Sequence, residues 1–113
     1  MTESGVKTEL PPIIARHLPE IVALAKSYGV ERLEVFGSVM TDRYDPLLSD
    51  VDFLVKYPRG YDYGPFLKHY QRFESDLAEL LHSPVDLVMD SQSLRDRFRR
   101  NIAGTRTVLY DAR

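Results

Sequence analysis

The chain contains no cysteine and no tryptophan. Without cysteine there is no disulfide framework, no thiol redox chemistry and no thiolate metal site. No uninterrupted apolar run approaches the roughly 20 residues needed to cross a bilayer. The opening MTESGVKTELPP lacks the apolar core of a signal peptide. A dominant charge of either sign is also missing: 15 Lys and Arg stand against 17 Asp and Glu, a formal net charge of −2. That mild negative balance argues against a general nucleic-acid binder, whose footprint is strongly basic. These absences point to a soluble cytoplasmic protein with no membrane contact.

What is present fits one small domain. The 113 residues leave little room for a second domain, and 43% of them are hydrophobic, enough for an ordered core. Charge is unevenly spread. Residues 1–90 carry a net −6, whereas residues 91–113 carry a net +4 from Arg95, Arg97, Arg99, Arg100, Arg106 and Arg113 against Asp96 and Asp111. Such a basic end either steers a phosphate-rich ligand or acidic partner, or is simply a solvated face.

Residues 1–11 read as a flexible N-terminal segment and residues 12–113 as a single domain. Ile14, Leu18, Ile21, Val22, Ala25 and Tyr28 recur at helical spacing, and Gly29 suits the left-handed position that ends the helix. Pro19 either kinks this helix or splits off a short first turn. RLEVF at 32–36, VDFLV at 51–55 and VDLVM at 85–89 read as strands. A short helical turn is expected near Val39–Arg43. The stripe Phe66, Tyr70, Phe73, Leu77, Leu80 and Leu81 predicts a long helix from about Pro65 to Leu81, and Leu94, Phe98, Ile102, Thr105 and Leu109 at near-helical spacing predict a last helix from near Ser91, which Gly104 could end early. RTVLY follows as an extended or irregular tail. The expectation is an α/β (α+β) domain with a small mixed three-stranded sheet packed against helices. The 14 residues between the first two strands suit an antiparallel pair, and the connection through 56–84 is long enough for a crossover.

The chemistry is concentrated between Gly37 and Asp52. Residues two apart on a strand share a face, so Asp50 and Asp52 present adjacent carboxylates while Val51, Phe53 and Val55 face a core. Crowded carboxylates repel unless a cation neutralises them, and oxygen-only donors suit Mg²⁺ or Mn²⁺. Asp86 is a further acid inside an apolar run. If the third strand lies beside the second, Asp86 completes a three-carboxylate cluster of the kind that clamps two metal ions about 4 Å apart around a transferring phosphoryl group. Gly37 at a strand exit lets backbone approach a ligand, and Ser38 could then hold a terminal phosphate. Each feature alone has a plain structural reading, with Ser38 as a helix cap and Asp52 and Asp86 as edge acids. Their joint occurrence is far more specific.

This order of motifs resembles a minimal nucleotidyltransferase domain of the DNA polymerase β-like superfamily, the short kind encoded beside a HEPN-domain protein. The resemblance runs from about residue 13 to 110. Gly37 and Ser38 match the nucleotide-phosphate-binding pair, Asp50 and Asp52 the metal-binding pair, and Asp86 the third carboxylate. The loop between Ser38 and Asp50 has eleven residues, one more than the usual ten, and the small-and-basic run after Gly-Ser is here VMTDR, which shifts a basic contact to Arg43. The resemblance implies a polymerase β-like core, ATP as substrate and two Mg²⁺ (or Mn²⁺) ions. It also implies an antitoxin that transfers AMP to a tyrosine hydroxyl of a HEPN-domain toxin. The rival within the resemblance is an inactive antitoxin that neutralises its partner by binding alone.

Shortness narrows the acceptor. Little chain remains to grip a nucleic acid or a small-molecule acceptor, so a protein that brings its own recognition surface fits best, in a hetero- or homo-oligomer. An autorepressor contacting DNA rests only on the arginine-rich end. Tyr57, Tyr61 and Tyr63 suit either such an interface or plain packing. His17, His69 and His82 are too scattered to read as a metal site.

Overall fold

A computed structural model describes residues 10–41, 44–45, 47–90 and 106–112. Its elements are α1 (Pro12–Ala15), α2 (Leu18–Ser27), β1 (Arg32–Phe36), a 3-10 turn (Gly37–Met40), β2 (Val51–Lys56), a second 3-10 turn (Pro65–Leu67), α3 (Lys68–Leu81), β3 (Val85–Met89) and β4 (Thr107–Asp111). The last helix expected from Ser91 and residues 1–9 of the N-terminal segment expected over 1–11 lie outside the described residues, as does Arg43.

Among the described residues the sheet has four strands in the order β3-β2-β1-β4. β1 and β2 pair antiparallel, and β3 joins β2 in parallel through the α3 crossover, both as the connection lengths suggested. The strand count corrects the expected three. RTVLY is not an irregular tail; Thr107–Asp111 pairs antiparallel with β1. Leu109 continues the helix-spaced series of the segment before it, which hid a strand whose pairing partner lies some seventy residues earlier. Among the described residues no helix is long and apolar enough to cross a membrane.

Alternation divides the sheet. Leu33, Val35, Val51, Phe53, Val55 and Leu87 share one core with Ile14, Ile21 and Ala25 of the first two helices and Phe73, Leu77 and Leu81 of α3. The opposite face carries a smaller group, Phe36 and Leu54 with Val88 against them. Proline supplies the break between α1 and α2: Pro19 occupies the first turn of α2, where a missing N–H costs nothing. Gly29 has φ +70°, the left-handed exit expected of it. α3 starts three residues later than its apolar stripe suggested. Gly64, Phe66 and Leu67 all have positive φ, so the chain turns sharply before Lys68 and Phe66, expected on the buried stripe, is 93% exposed.

Glu34 places a buried charge on β1. Its carboxylate meets Arg32 Nε at 3.3 Å and Arg106 Nε at 3.3 Å, tying β1 to the residue that enters β4. Arg106, an exposed candidate for phosphate or partner contacts in the sequence, instead serves this internal pair.

Candidate active site

Three of the expected site residues are assembled by strand register. Phe36 lies opposite Asp52 in the β1–β2 pair, so the first residue after β1, Gly37, comes up against that carboxylate. In the parallel β2–β3 pair Asp52 lies opposite Asp86. Both acids alternate with Phe53 and Leu87 of the main core, which puts them on the face away from α2 and α3. Asp50 is exposed immediately before β2.

The half-buried Asp52 carries the electrostatic signature of this crowding. Its carboxyl is pushed up to about 6, chiefly by burial and then by the negative charges of Asp86 and Asp50. Asp52 thus lies near enough to Asp86 and Asp50 for their charges to reach it. Among the described residues, however, no three His, Cys, Asp or Glu side chains stand close enough together to hold one metal ion. The fit to a divalent cation is one of donor chemistry and register: oxygen donors only, on neighbouring strands, with one carboxyl penalised for lack of a counter-charge.

Gly37 has a reason the sequence did not disclose. It adopts φ +84°, and a Cβ built there would lie 2.3 Å from Asp52 Oδ2 and 3.2 Å from its Cγ. The close approach anticipated for a ligand is first an approach to Asp52 itself. Ser38 lies inside the 3-10 turn rather than capping it, and its carbonyl accepts the Thr41 N–H at 2.9 Å and the Thr41 hydroxyl at 2.8 Å. The turn thus begins two residues before the Val39–Arg43 stretch expected to form it.

The tyrosines resolve toward packing. Tyr57 is buried, with its ring 4.4 Å from that of Tyr61 and 4.9 Å from that of Tyr63. A groove between α2 and α3, lined by Glu20, Leu24, Asp76, Glu79 and Leu80 among others, contains none of the expected site residues, and its acids have the wrong sign for a triphosphate. Sequence reading missed two α3 side chains that reach β3. Glu74 Oε2 accepts the Leu87 N–H at 2.9 Å, and the Tyr70 hydroxyl donates to the Leu87 carbonyl. Their i, i+4 spacing was legible, but nothing in the sequence says which strand they meet.

A mixed sheet backed by helices on one face, with a Gly-Ser turn set against strand-borne carboxylates, is the core of a polymerase β-like nucleotidyltransferase. The nucleotidyltransferase domain family model matches residues 15–109, and the chain belongs to that family. Solved structures agree. One described as a minimal nucleotidyltransferase is 26% identical, covering 83% of this chain and 94% of that one, with a TM-score of 0.62. A toxin–antitoxin structure with AMP-PNP (20% identity, 85% of this chain and 74% of that chain, TM-score 0.60) shares the fold. So does a tri-AMPylated Shewanella oneidensis HEPN toxin in complex with its MNT antitoxin (20%, 87% and 72%, TM-score 0.57). No curated protein matches in sequence.

Proposed function

We propose that this nucleotidyltransferase transfers AMP from ATP to a hydroxyl, that of a tyrosine, on a HEPN-domain toxin and thereby acts as its antitoxin. The observation that carries the reading is the register pair Asp52–Asp86 beside Gly37, with the Asp52 carboxyl raised to about 6 by burial and then by its acidic neighbours. Membership of the nucleotidyltransferase family supports the reaction class. The acceptor class is suggested by fold relatives that include an AMPylated HEPN toxin with its antitoxin.

In this reading the acceptor oxygen attacks the α-phosphorus in line, a new P–O bond forms, the bond to the bridging oxygen of the β-phosphate breaks, and pyrophosphate leaves. Divalent cations, when bound, would neutralise charge on the phosphates and lower the cost of deprotonating the acceptor. Asp50 and Asp52 would hold both cations. Asp86 would either hold the one nearer the acceptor or take the acceptor's proton. Gly37 and Ser38 would support the triphosphate tail and Arg43 would add a positive contact to it.

Among the described residues no three acids form a group that could hold a metal ion, which favours one alternative: neutralisation of the partner by binding alone. Intact-mass analysis separates the two. The chain is incubated with the HEPN protein, Mg²⁺ and ATP, with Asp52→Asn in parallel. AMP-sized additions on the partner from the wild type but not from the variant are expected. Inhibition of the partner by stoichiometric binding with no added mass would overturn the enzymatic reading.

A further inference from the structure

Among the described residues β3 is an edge strand with a single strand neighbour, β2, and the pairing is parallel, the slightly weaker kind. Asp86 rides on it. An edge strand held on one side only is free to shift, and its open side is a template for another strand. In this chain both peptide groups of Leu87, the residue after Asp86, are taken by α3. The Glu74 carboxylate accepts the N–H at 2.9 Å, and the Tyr70 hydroxyl donates to the carbonyl. Residues four apart on a helix lie one above the other, so the pair grips Leu87 as a fork. The Glu74 bond is charge-assisted, stronger than a neutral one.

We propose that Tyr70 and Glu74 are positioning residues for transfer: by holding Leu87 they fix β3 at the register where Asp86 faces Asp52. The proposal rests on the active-site reading above. The fork is itself anchored. α3 is held by Phe73, Leu77 and Leu81 in the main core. The Tyr70 ring stands 6.5 Å from that of Tyr57. Burial, with the negative charges of Glu74 and Asp86 nearby, raises the Tyr70 phenol, so it keeps the proton it donates. A displacement of Asp86 by about 1 Å is enough to cost on the order of a hundredfold in rate.

The test compares wild type, Tyr70→Phe, Glu74→Gln, Glu74→Ala and Asp86→Asn in three measurements. These are AMP transfer against ATP concentration, hydrogen exchange of the amides at 85–89, and titration with Mn²⁺ alone. Glu74→Ala should speed exchange around Leu87 at least tenfold while the rest of the sheet stays protected. It should weaken Mn²⁺ binding and lower kcat roughly ten- to a hundredfold, with KM for ATP within twofold. Glu74→Gln, which keeps an acceptor oxygen, should recover most of kcat; Tyr70→Phe should fall between. Should Glu74→Ala fail to fold, Tyr70→Phe carries the same comparison, since it removes one bond and keeps the ring. Unchanged kcat and Mn²⁺ affinity in Tyr70→Phe and Glu74→Ala, despite faster exchange, would refute the proposal and leave the active-site reading intact. Wild-type transfer by Asp86→Asn would instead refute the site assignment, and the positioning role would fall with it.

Discussion

A single methyl group added at Gly37 tests the contact on which the site is built. The backbone there has φ +84°, and the new Cβ would lie 2.3 Å from Asp52 Oδ2, 3.2 Å from Cγ and 3.4 Å from Cβ. Two costs follow. Left-handed backbone costs an alanine roughly 1–2 kcal/mol. Relief of the clash requires the Asp52 side chain to swing away, off its rotamer, for about 0.5–1.5 kcal/mol more. Gly37→Ala should therefore lose about 2–3 kcal/mol, a drop in melting temperature on the order of 10 °C for a domain of this size. The displaced carboxyl should cost about a hundredfold in AMP transfer. Urea denaturation in two backgrounds isolates the contact. With Asp52→Ala already in place the clash is gone, and Gly37→Ala should cost only the dihedral part, about 1–2 kcal/mol. An equal cost in both backgrounds, or transfer within threefold of wild type, would refute the reasoning.

Other consequences are as concrete. Because the folded state raises the Asp52 carboxyl from 3.8 to about 6, it binds that proton more tightly than the unfolded chain does. The contribution of Asp52 to stability without added cation should be fully present below about pH 4 and be lost as pH rises through about 6, by about 1–2 kcal/mol once solvent screening of the half-buried group is allowed for. Asp52→Asn should flatten that slope in urea titrations from pH 4 to 7; an unchanged slope places its origin elsewhere. Glu34→Ala should destabilise by about 2 kcal/mol, since it takes this carboxylate from the partly exposed Arg106 and leaves Arg32 paired with Asp90 at 3.7 Å; a loss under 1 kcal/mol in denaturant would show the pair to be dispensable. The buried Tyr57 hydroxyl has no hydrogen-bond partner among the described residues, so Tyr57→Phe should be neutral or raise stability by about 1 kcal/mol. A clear loss in thermal unfolding would mean that the hydroxyl is satisfied.

Particular elements show how far the sequence could be read. β1, β2 and β3 were legible because short apolar runs bounded by glycine and proline leave few alternatives. The antiparallel and parallel pairings followed from connection length. β4 was not legible, since its alternation merges with a helix-spaced series and a strand's partner is a long-range fact. Phe66 was misplaced for a related reason: periodicity marks the stripe of a helix but not the residue at which the chain turns into it. Tyr57 looked as suited to an interface as to a core, and only packing decided between them.

The amino-acid order by itself determined the components of the proposed reaction centre: a Gly-Ser pair at a strand exit, acids at 50 and 52 on either side of Val51, and a third acid in a later apolar run. Those are local facts, fixed by alternation along a strand and by the chemistry of oxygen donors. Tertiary structure alone decided that Asp52 and Asp86 meet in register, that Gly37 is needed to make room for Asp52, and that Tyr70 and Glu74 hold the strand bearing Asp86. Each of these depends on which residues from distant segments come within a few ångströms of one another. Nothing in the spacing along one chain can specify that before the sheet has closed.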